Sequence, residues 1–483
     1  TTAGIFMFMG AVGKSAQFPL HIWLPDAMEG PTPVSAMIHA ATMVAAGVYL
    51  TGRIFLVLSP TAQLVVACVG AFTAIFAATI GMTAFDIKKV LAYSTISQLG
   101  YMICSIGVGG MAAGLFHVIV HALFKACLFL GSGSVILGCH HEQDMRKMGG
   151  LRKRMPVTYF TMLASTLAIS GVPLFAGFYS KDAIIARSLE KSMQTGQFIW
   201  ALPFLLLVVA AAITAFYMFR LIFMTFHGEP RAHGAEHAKE SPRTMTIPLI
   251  VLGLGAVLGG KFWLADPQHA LGGGSEPWFL QLVRNPKLAG WNPAAISEAG
   301  GYGANGAVLE APEGSLAAQT EAREEELAHE AHGRAMIFSV LAAGLGTLLA
   351  FLFYLWKVLS PAEAARRLGG VYRLVYNKYW IDELNRATIV RGTFGLSRLQ
   401  GLFDKVVIDG LVNFIGRFMR RLANGVGLFD AGVVDGAVNG VAGAASSAGQ
   451  AARRMQTGRI QQYTYFTLAG ALVLSAVVLL GLF

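Results

Sequence analysis

Residues 111–138 read MAAGLFHVIVHALFKACLFLGSGSVILG, and this stretch decides the fold class. It is almost entirely apolar and longer than the roughly 20 residues that a helix needs to cross about 30 Å of hydrocarbon. His117, His121 and Lys125 follow one another at intervals of four, so they share one face of such a helix. A charged group at bilayer depth costs at least about 2.5–3.5 kcal/mol on insertion scales. The stretch therefore predicts a membrane-spanning helix with a functional polar face.

The whole chain has the composition of a membrane protein. Of its 483 residues, 55% are hydrophobic and 13% are charged, whereas soluble domains carry about 25% charged residues. This composition excludes a soluble enzyme, a disordered protein and a nucleic-acid-binding module as first interpretations. The net charge of +10 is of the kind that membrane proteins concentrate in their cytoplasmic loops.

Ten apolar runs are long enough to span a bilayer as helices, and they lack the alternation of membrane β-strands. We therefore predict an all-α polytopic membrane protein with about ten transmembrane helices. They lie near 1–24, 34–58, 62–85, 90–108, 111–138, 157–179, 198–226, 245–264, 334–357 and 463–483. Because the sequence starts inside an apolar run without a methionine, we expect further residues to precede it.

The connecting segments orient the chain. The turn 86–89 and the loop 139–156 are basic, whereas 265–333 holds ten acidic and three basic residues. Counting helices places the basic connections on one side, which the positive-inside rule assigns to the cytoplasm. The first helix then runs from outside to inside, and the C-terminus lies outside. Because glycine and proline are frequent at 272–314, we expect part of the acidic loop to be poorly ordered.

Residues 380–455 are helical in pattern but are not apolar enough to span. One face carries a stripe of large apolar residues: Leu396, Leu399, Phe403, Val407, Leu411, Phe414, Phe418 and Leu422. The opposite face is polar, which predicts an amphipathic helix at the membrane interface. A continuous helix over 394–452 would be about 90 Å long. Two or three short helices, broken among the glycines at 425–449, are the alternative.

Two apolar runs are interrupted by a proline near a lysine. Pro19 follows Lys14, and Pro173 precedes Lys181 and Asp182. A proline in a helix interior breaks or kinks the helix. Broken helices at matching places in two halves of a chain mark the ion sites of transporters. For Lys181, the alternative is an interfacial lysine whose side chain reaches back to the headgroups.

The ionisable residues of 111–138 suit proton transfer. Imidazole and amine groups take up and release protons, and here they lie about 6 Å apart along one helix face. A structural polar seam between helices is one alternative. Zinc binding by His117 and His121 is another, although no acidic neighbour accompanies them as in zinc proteases. His39, on a face of small residues, suits either a helix contact or proton transfer.

The sequence contains no recognisable redox-centre, metal-binding or nucleotide-binding motif. It has no Walker motif and no cysteine cluster of the iron–sulfur type. Its four cysteines share no metal-type spacing and lie in or beside apolar runs: Cys68, Cys104, Cys127 and Cys139. We therefore predict small buried thiols without disulfides, and no redox site, cofactor or metal in this chain.

Several long motifs resemble those of one family of membrane proteins. They are GKSAQFPLHIWLPDAMEGPTPVSAMIHAATMVAAGVYL (13–50), DIKKVLAYSTISQLGYM (86–102), FHVIVHALFKACLFLGSGSV (116–135) and AGFYSKD (176–182). In this order they resemble the antiporter-like subunits of respiratory complex I, the proton-translocating NADH:quinone oxidoreductase. YNKYWIDEL (376–384), followed by a long helix and a last span, resembles the distal type, subunit L or NADH dehydrogenase subunit 5.

The resemblance implies an antiporter-like inverted-repeat fold with two broken helices and a long lateral helix. The family core has fourteen helices that include two inverted five-helix repeats. On this basis 1–58 is the end of the first repeat and 59–230 is the second. Additional transmembrane helices then fill 231–360, the lateral amphipathic helix region is 361–460, and the final span is 461–483.

The resemblance also implies roles for individual residues. Lys14 matches the lysine of the first broken helix, whose glutamate partner lies on an earlier helix that this sequence does not include. Lys125 matches the central lysine, and Lys181 with Asp182 matches the exit-side pair. We accordingly predict as proton-translocation residues Lys14, His39, His117, His121, Lys125, Lys181 and Asp182, with helix breaks at Pro19 and Pro173.

The implied function is proton pumping by a non-redox subunit of an enzyme complex, coupled to NADH:quinone oxidoreduction in the bacterial inner membrane. FMN and iron–sulfur clusters would lie in partner subunits. The lateral helix would clamp neighbouring antiporter-like subunits together, and membrane lipids would surround them. The protein would bind no nucleic acid. A subunit of an Mrp-type multisubunit Na⁺/H⁺ antiporter, which shares the motifs, is one alternative, and a structural membrane scaffold is another.

Overall fold

A computed structural model describes residues 1–40, 42–260 and 316–481 of the chain. These residues form helices joined by turns, and no β-strand occurs within the ranges just given. One isolated backbone pairing joins Asp86 to Asp144. The predicted all-α class is therefore confirmed. The chain divides into two compact units, Thr1–Asp382 and Glu383–Phe483.

The first unit is a bundle of helices connected by short turns, several of which contain a single-turn helix. The longer helices are α1 (Thr2–Lys14), α2 (Thr32–Ala40), α3 (Ala45–Arg53), α4 (Pro60–Thr83), α5 (Ile87–Gly107), α6 (Met111–Gly138), α7 (Pro156–Ser170), α8 (Ala176–Thr195), α9 (Phe198–Phe226), α10 (Arg243–Leu258), α11 (Leu316–Ala350) and α12 (Pro361–Tyr376).

Helices occur at all ten predicted spans, and within the described residues six helical segments are long and apolar enough to cross a membrane. These six are Thr32–Arg53, Pro60–Thr83, Met111–Gly138, Phe198–Phe226, Glu326–Leu355 and Ile460–Leu479. At three further predicted spans, α1, α7 and α10 are shorter apolar helices. The ends of the runs predicted at 245–264 and 463–483, and most of the acidic loop predicted to be poorly ordered, lie outside the described residues.

Both predicted helix breaks are present. The first helix, α1, ends at Lys14, and the chain passes Pro19 before the single-turn helix Trp23–Asp26. In the second break, α7 ends at Ser170 and α8 begins at Ala176. Gly171 ends α7 in the left-handed region, with φ of 74°, a conformation that glycine adopts without steric cost.

The centre of the first unit is α5, in which every residue from Val90 to Gly107 is buried. It packs against α4 through glycines that let the two backbones approach closely. A Cβ atom placed on Gly100 would lie 2.6 Å from the backbone nitrogen of Ala74. Small residues at such crossings are typical of membrane helices. The close packing also explains how a helix with many polar residues lies inside the bundle rather than at its surface.

One long helix dominates the second unit. It runs without interruption from Ile381 to Met455 and includes three π-helical turns, at Arg386–Val390, Asp404–Ile408 and Asp430–Val434. At about 1.5 Å per residue its length is on the order of 110 Å. The structure thus shows one continuous helix rather than two or three short ones, and the glycines at 425–449 do not break it. A last helix, α13 (Ile460–Leu479), follows.

The close crossing of α4 and α5 gives a first prediction. Replacing Gly100 with Ala should lower the free energy of unfolding by about 1–3 kcal/mol, because the added methyl group would overlap the α4 backbone. The measurement is the midpoint of thermal unfolding of the complex in detergent. Gly10→Ala in α1 is the control, because no atom lies within 4 Å of its Cβ position. Equal midpoints for both variants would contradict the close approach.

Candidate functional site

The predicted polar face of α6 is buried inside the bundle. His117 and Lys125 are 0% exposed, and His121 is 1% exposed. The centroids of the two imidazole rings lie 6.2 Å apart. The three residues thus form a continuous buried row, as their spacing predicts. Their part in proton transfer remains a prediction.

Lys125 is held by α5 rather than by a counter-ion. Its Nζ donates a hydrogen bond to the carbonyl oxygen of Leu91 (3.0 Å) and another to Ser94 Oγ. The ring centroid of Phe129 lies 5.8 Å from the same nitrogen. Within the described part of the chain, no carboxylate forms an ion pair with Lys125. Because neutral acceptors rather than a fixed negative charge surround the amine, its proton is not locked in place by a salt bridge.

His117 bridges α5 and α8. Its Nε2 lies 3.1 Å from Gln98 Oε1, and its Nδ1 lies 2.8 Å from Ser180 Oγ. Because an amide oxygen only accepts, Nε2 carries a proton and donates it to Gln98. In the neutral ring, Nδ1 then accepts the hydroxyl hydrogen of Ser180. In the charged ring, Nδ1 donates to Ser180, whose hydroxyl can turn to the carbonyl oxygen of Gly177 at 3.3 Å. Both protonation states of His117 therefore have hydrogen-bond partners.

Two further buried histidine contacts join this row to α2. The Nδ1 atom of His121 lies 3.1 Å from the carbonyl oxygen of Ala40. His39 is fully buried and stacks on Phe129 with ring centroids 5.1 Å apart. Neither ring nitrogen of His39 has a hydrogen-bond partner among the described residues. The part of His39 in proton transfer remains a prediction.

Lys181 lies at the second helix break. Its side chain is 2% exposed, so the alternative of an interfacial lysine is wrong. Its Nζ donates to the carbonyl oxygen of Ile169 (3.0 Å) and lies 4.9 Å from the ring centroid of Tyr101. Ile169 belongs to the last turn of α7, where carbonyl groups lack helical partners and the helix dipole favours a cation. The break thus creates the acceptor that holds this lysine.

Asp182 does not pair with the lysine beside it in the sequence. Its Oδ1 accepts a hydrogen bond from Ser339 Oγ (2.8 Å), and its Oδ2 lies 3.6 Å from His332 Nε2. Both partners belong to α11, and the sequence prediction missed them. Their spacing of seven residues, which places both on one face of a helix, is the signal that could have identified them.

Lys14 lies directly before the first helix break. It is the last residue of α1, and its side chain is exposed. It has no hydrogen-bond or ion-pair partner in the described ranges. The reason is that α1 turns one face, with Phe8, Ala11 and Val12, toward the bundle, and Lys14 lies off this face. The part of Lys14 in proton transfer therefore remains a prediction, and within the described residues Lys14 forms no hydrogen bond or ion pair with the row on α6.

Comparison with known proteins identifies the group to which this arrangement belongs. Residues 1–214 match the family described as "NADH:quinone oxidoreductase/Mrp antiporter, TM". These residues belong to that family. The predicted resemblance and the membrane location are thereby confirmed, and the buried row, both helix breaks and Lys181 lie within the matched part.

Individual relatives agree with the family. The NADH-quinone oxidoreductase subunit L of Rhodobacter capsulatus is 42% identical in an alignment 449 residues long that covers 85% of this chain and 61% of that protein. The subunit L of Neisseria meningitidis is 36% identical in an alignment 511 residues long that covers 100% of this chain and 66% of that protein. The chain thus spans less than two thirds of the length of these relatives.

A solved structure shows the same fold. It is the structure of the Mrp complex from Dietzia sp. DQ12-45-1b, and it matches 86% of this chain and 41% of the compared chain. The sequence identity is 26% and the TM-score is 0.55. This chain therefore shares its fold with part of that chain of the Mrp complex.

The contacts of Asp182 give a second prediction. Ser339→Ala should lower the free energy of unfolding by about 1–3 kcal/mol, because it leaves an oxygen of a buried carboxylate without its donor. Thermal unfolding of the complex in detergent measures the effect. Ser475→Ala, which removes an exposed hydroxyl bonded only to its own helix, is the matched control. Indistinguishable unfolding midpoints would show that Ser339 does not support Asp182.

Proposed function

We propose that this chain is a proton-translocating subunit of a complex-I-type NADH:quinone oxidoreductase in a bacterial inner membrane. The observation that carries the proposal is the buried row on α6, in which His117 has partners in both protonation states and Lys125 has no counter-ion among the described residues. The likeness to two proteins named as subunit L of NADH-quinone oxidoreductases supports the choice of complex.

In this proposal the proton moves along the row in single steps. Two positive charges about 6 Å apart repel by roughly 3 kcal/mol at an effective dielectric constant of 20. One added proton on Lys125 therefore disfavours another on His121. When the proton leaves Lys125, the histidines become the better acceptors, and His117 passes it toward Ser180 at the start of α8. Lys181 follows Ser180 directly in the chain.

The outgoing side of the path uses Asp182 and α11. Asp182 is 3% exposed, whereas the side chain of its neighbour His332 is 29% exposed. A proton accepted by Asp182 thus has a titratable neighbour that reaches the surface of the first unit. The positive-inside orientation places the end of α11 that carries His332 outside the cytoplasm.

We also propose that electron transfer takes place in partner subunits, which would hold FMN and iron–sulfur clusters. The four cysteines of this chain are unpaired, and Cys104, Cys127 and Cys139 are buried. Energy would reach the row as conformational and electrostatic change in the membrane region. A positive charge that moves close to one end of the row would repel the proton on Lys125. This repulsion would lower the proton affinity of Lys125, as a proton on a neighbouring residue of the row does.

The long helix is proposed to bind neighbouring antiporter-like subunits. Its apolar stripe is open to the surroundings: Leu411 is 58% exposed, Phe414 59% and Phe418 52%. Exposed apolar surface of this extent is typical of protein or membrane contacts. The length of the helix exceeds the width of one bundle of this kind, so a row of subunits offers it a continuous partner.

A subunit of an Mrp-type Na⁺/H⁺ antiporter is the second candidate, which the shared fold of the Mrp complex favours. The chemistry of the buried row would serve either complex. Purification of the intact assembly separates the two, because flavin and iron–sulfur subunits that copurify with this chain indicate the quinone oxidoreductase.

The central role of Lys125 gives a third prediction. In inverted membrane vesicles, Lys125→Ala should reduce the number of protons pumped per NADH oxidised, because the row loses its carrier next to α5. Lys153→Ala, in an exposed loop, is the control and should pump as the parent does. Unchanged proton pumping by Lys125→Ala in a fully assembled complex would contradict proton transfer along the row on α6.

The apolar stripe gives a fourth prediction. A double variant, Leu411→Glu with Phe418→Glu, should reduce the yield of assembled complex, because two charges would enter an apolar contact. Asn413→Glu, on the polar face of the same helix, should leave the yield unchanged. Native gel electrophoresis of solubilised membranes gives the measurement. Full assembly and full coupling of the double variant would contradict the clamp.

A further inference from the structure

A buried arginine lies outside the row on α6 and outside both helix breaks. Arg220 belongs to the last turns of α9, and its side chain is 1% exposed. A guanidinium group stays charged inside a protein because it does not release its proton. Within the described ranges, no carboxylate forms an ion pair with Arg220. Because charged residues inside membrane spans are costly, such a residue indicates a function of its own.

The partners of Arg220 come from the ends of two other helices. Its Nη1 donates a hydrogen bond to the carbonyl oxygen of Ala84 (2.6 Å), and its Nε donates to the phenolic oxygen of Tyr354 (3.2 Å). Ala84 caps the C-terminus of α4, where carbonyl groups lack helical partners and the helix dipole favours a cation. Tyr354 lies in the π-helical turn Phe351–Leu355, which continues α11. One guanidinium group thus joins the ends of α4, α9 and α11.

The turn between α4 and α5 is also held by the basic loop. The ring centroid of Phe85 lies 4.8 Å from the guanidinium carbon of Arg220 and 4.4 Å from that of Arg146. The carbonyl oxygen of Phe85 accepts a hydrogen bond from the backbone nitrogen of Met145 (3.0 Å). The start of α5 is therefore fixed at one end of the bundle, and Arg220 is its connection to α9 and α11.

Helix α11 joins this turn to Asp182. Ser339 of α11 donates to Asp182 Oδ1 (2.8 Å), and Tyr354 lies about 22 Å further along the same helical axis. The helix continues without a break from Ser339 through the π-helical turn. π-helical turns within longer helices often occur at functional sites. A displacement of α11 along its axis at Asp182 is thus also a displacement of Tyr354.

We propose that Arg220 is a positioning residue that links α11 to the α4–α5 pair, so that proton uptake and release by Asp182 alter the contacts of Lys125. The inference rests on the proposed function and adds to it a connection between two sites of the proton path. When Asp182 takes up a proton, its carboxyl group becomes neutral and its hydrogen bond with Ser339 weakens. This change allows α11 to shift relative to α8.

The link carries this shift to the row on α6. Tyr354 moves with α11, and its hydrogen bond to Arg220 passes the movement to Ala84 and the start of α5. Leu91 and Ser94 of α5 are the acceptors that hold the amine of Lys125. No covalent bond changes in this step, and the proton stays on Asp182 while the hydrogen bonds rearrange.

A variant at Tyr354 separates the link from the structural role of Arg220. Tyr354→Phe removes one oxygen atom and keeps the ring, whose centroid lies 5.9 Å from the guanidinium carbon of Arg220. The hydrogen bond from Arg220 to Ala84 remains in this variant. Arg220→Met removes the whole connection, and where it fails to assemble, Tyr354→Phe decides.

The experiment measures protons pumped per NADH oxidised by the whole complex in sealed vesicles, with assembly checked for each variant. The loss caused by Lys125→Ala defines the share of this subunit. Tyr354→Phe should remove at least half of that share, with a parental rate of NADH oxidation when an uncoupler is added. Tyr159→Phe is the matched control, because it removes a phenolic hydroxyl bonded at the same distance of 3.2 Å to His227. It should pump as the parent does.

A double variant tests the route through α11. Ser339→Ala breaks the proposed connection at Asp182, and Tyr354→Phe breaks it at Arg220. Effects of distant, independent sites add, whereas effects on one connection do not. Each single variant should therefore lose a similar share of pumping, and the double variant should lose no more than either one.

The outcomes separate the link from the proposed function. Parental pumping by Tyr354→Phe, with a loss in Lys125→Ala, overturns the link and leaves the function in place. Parental pumping by Lys125→Ala overturns the function itself. Additive losses in the double variant, parental pumping by Ser339→Ala, or an equal loss in Tyr159→Phe would each overturn the route through α11.

Discussion

The cost of placing charge in an apolar interior governs this structure. A buried charge needs polar partners, and for Lys125 and Lys181 the described part of the bundle supplies neutral oxygen acceptors rather than counter-ions. Lys125 uses the carbonyl group of Leu91 and the hydroxyl of Ser94, and Lys181 uses the carbonyl group of Ile169. A salt bridge would hold each lysine charged, whereas neutral acceptors leave a smaller difference between the charged and neutral forms. This choice of partners is what makes proton transfer chemically feasible.

The helix breaks follow from the same constraint. An unbroken helix uses nearly all its carbonyl groups internally, so it offers no acceptor in the middle of a membrane. The interruption after Ser170 releases the carbonyl groups in the last turn of α7, and the chain returns in α8 with Lys181 placed against them. Because Ser180 precedes this lysine and contacts His117, the break also brings the row on α6 next to the segment that carries Lys181.

Local features of the site were predictable, whereas contacts distant in sequence were not. The intervals between His117, His121 and Lys125 predict one buried face, and Pro173 predicts a break, because both depend on helix geometry alone. The partners of Asp182 lie about 150 residues away in α11, and no sequence pattern close to Asp182 predicts such a contact. The exposure of Lys14 depends on which helices cover α1. Frequent glycine suggested breaks in the long helix, but the helix continues through these glycines to Met455.

The central position of α5 explains how these elements act together. Its polar residues would be costly at a lipid surface, yet here each face contacts a functional element: Leu91 and Ser94 hold Lys125, Gln98 binds His117, and Tyr101 lies against Lys181. A small rotation of α5 would alter the partners of all these groups at once. The close contact of Gly100 with α4 restricts such rotation to movements that both helices share. The pair α4 and α5 is therefore the element through which a distant change could reach both lysines together.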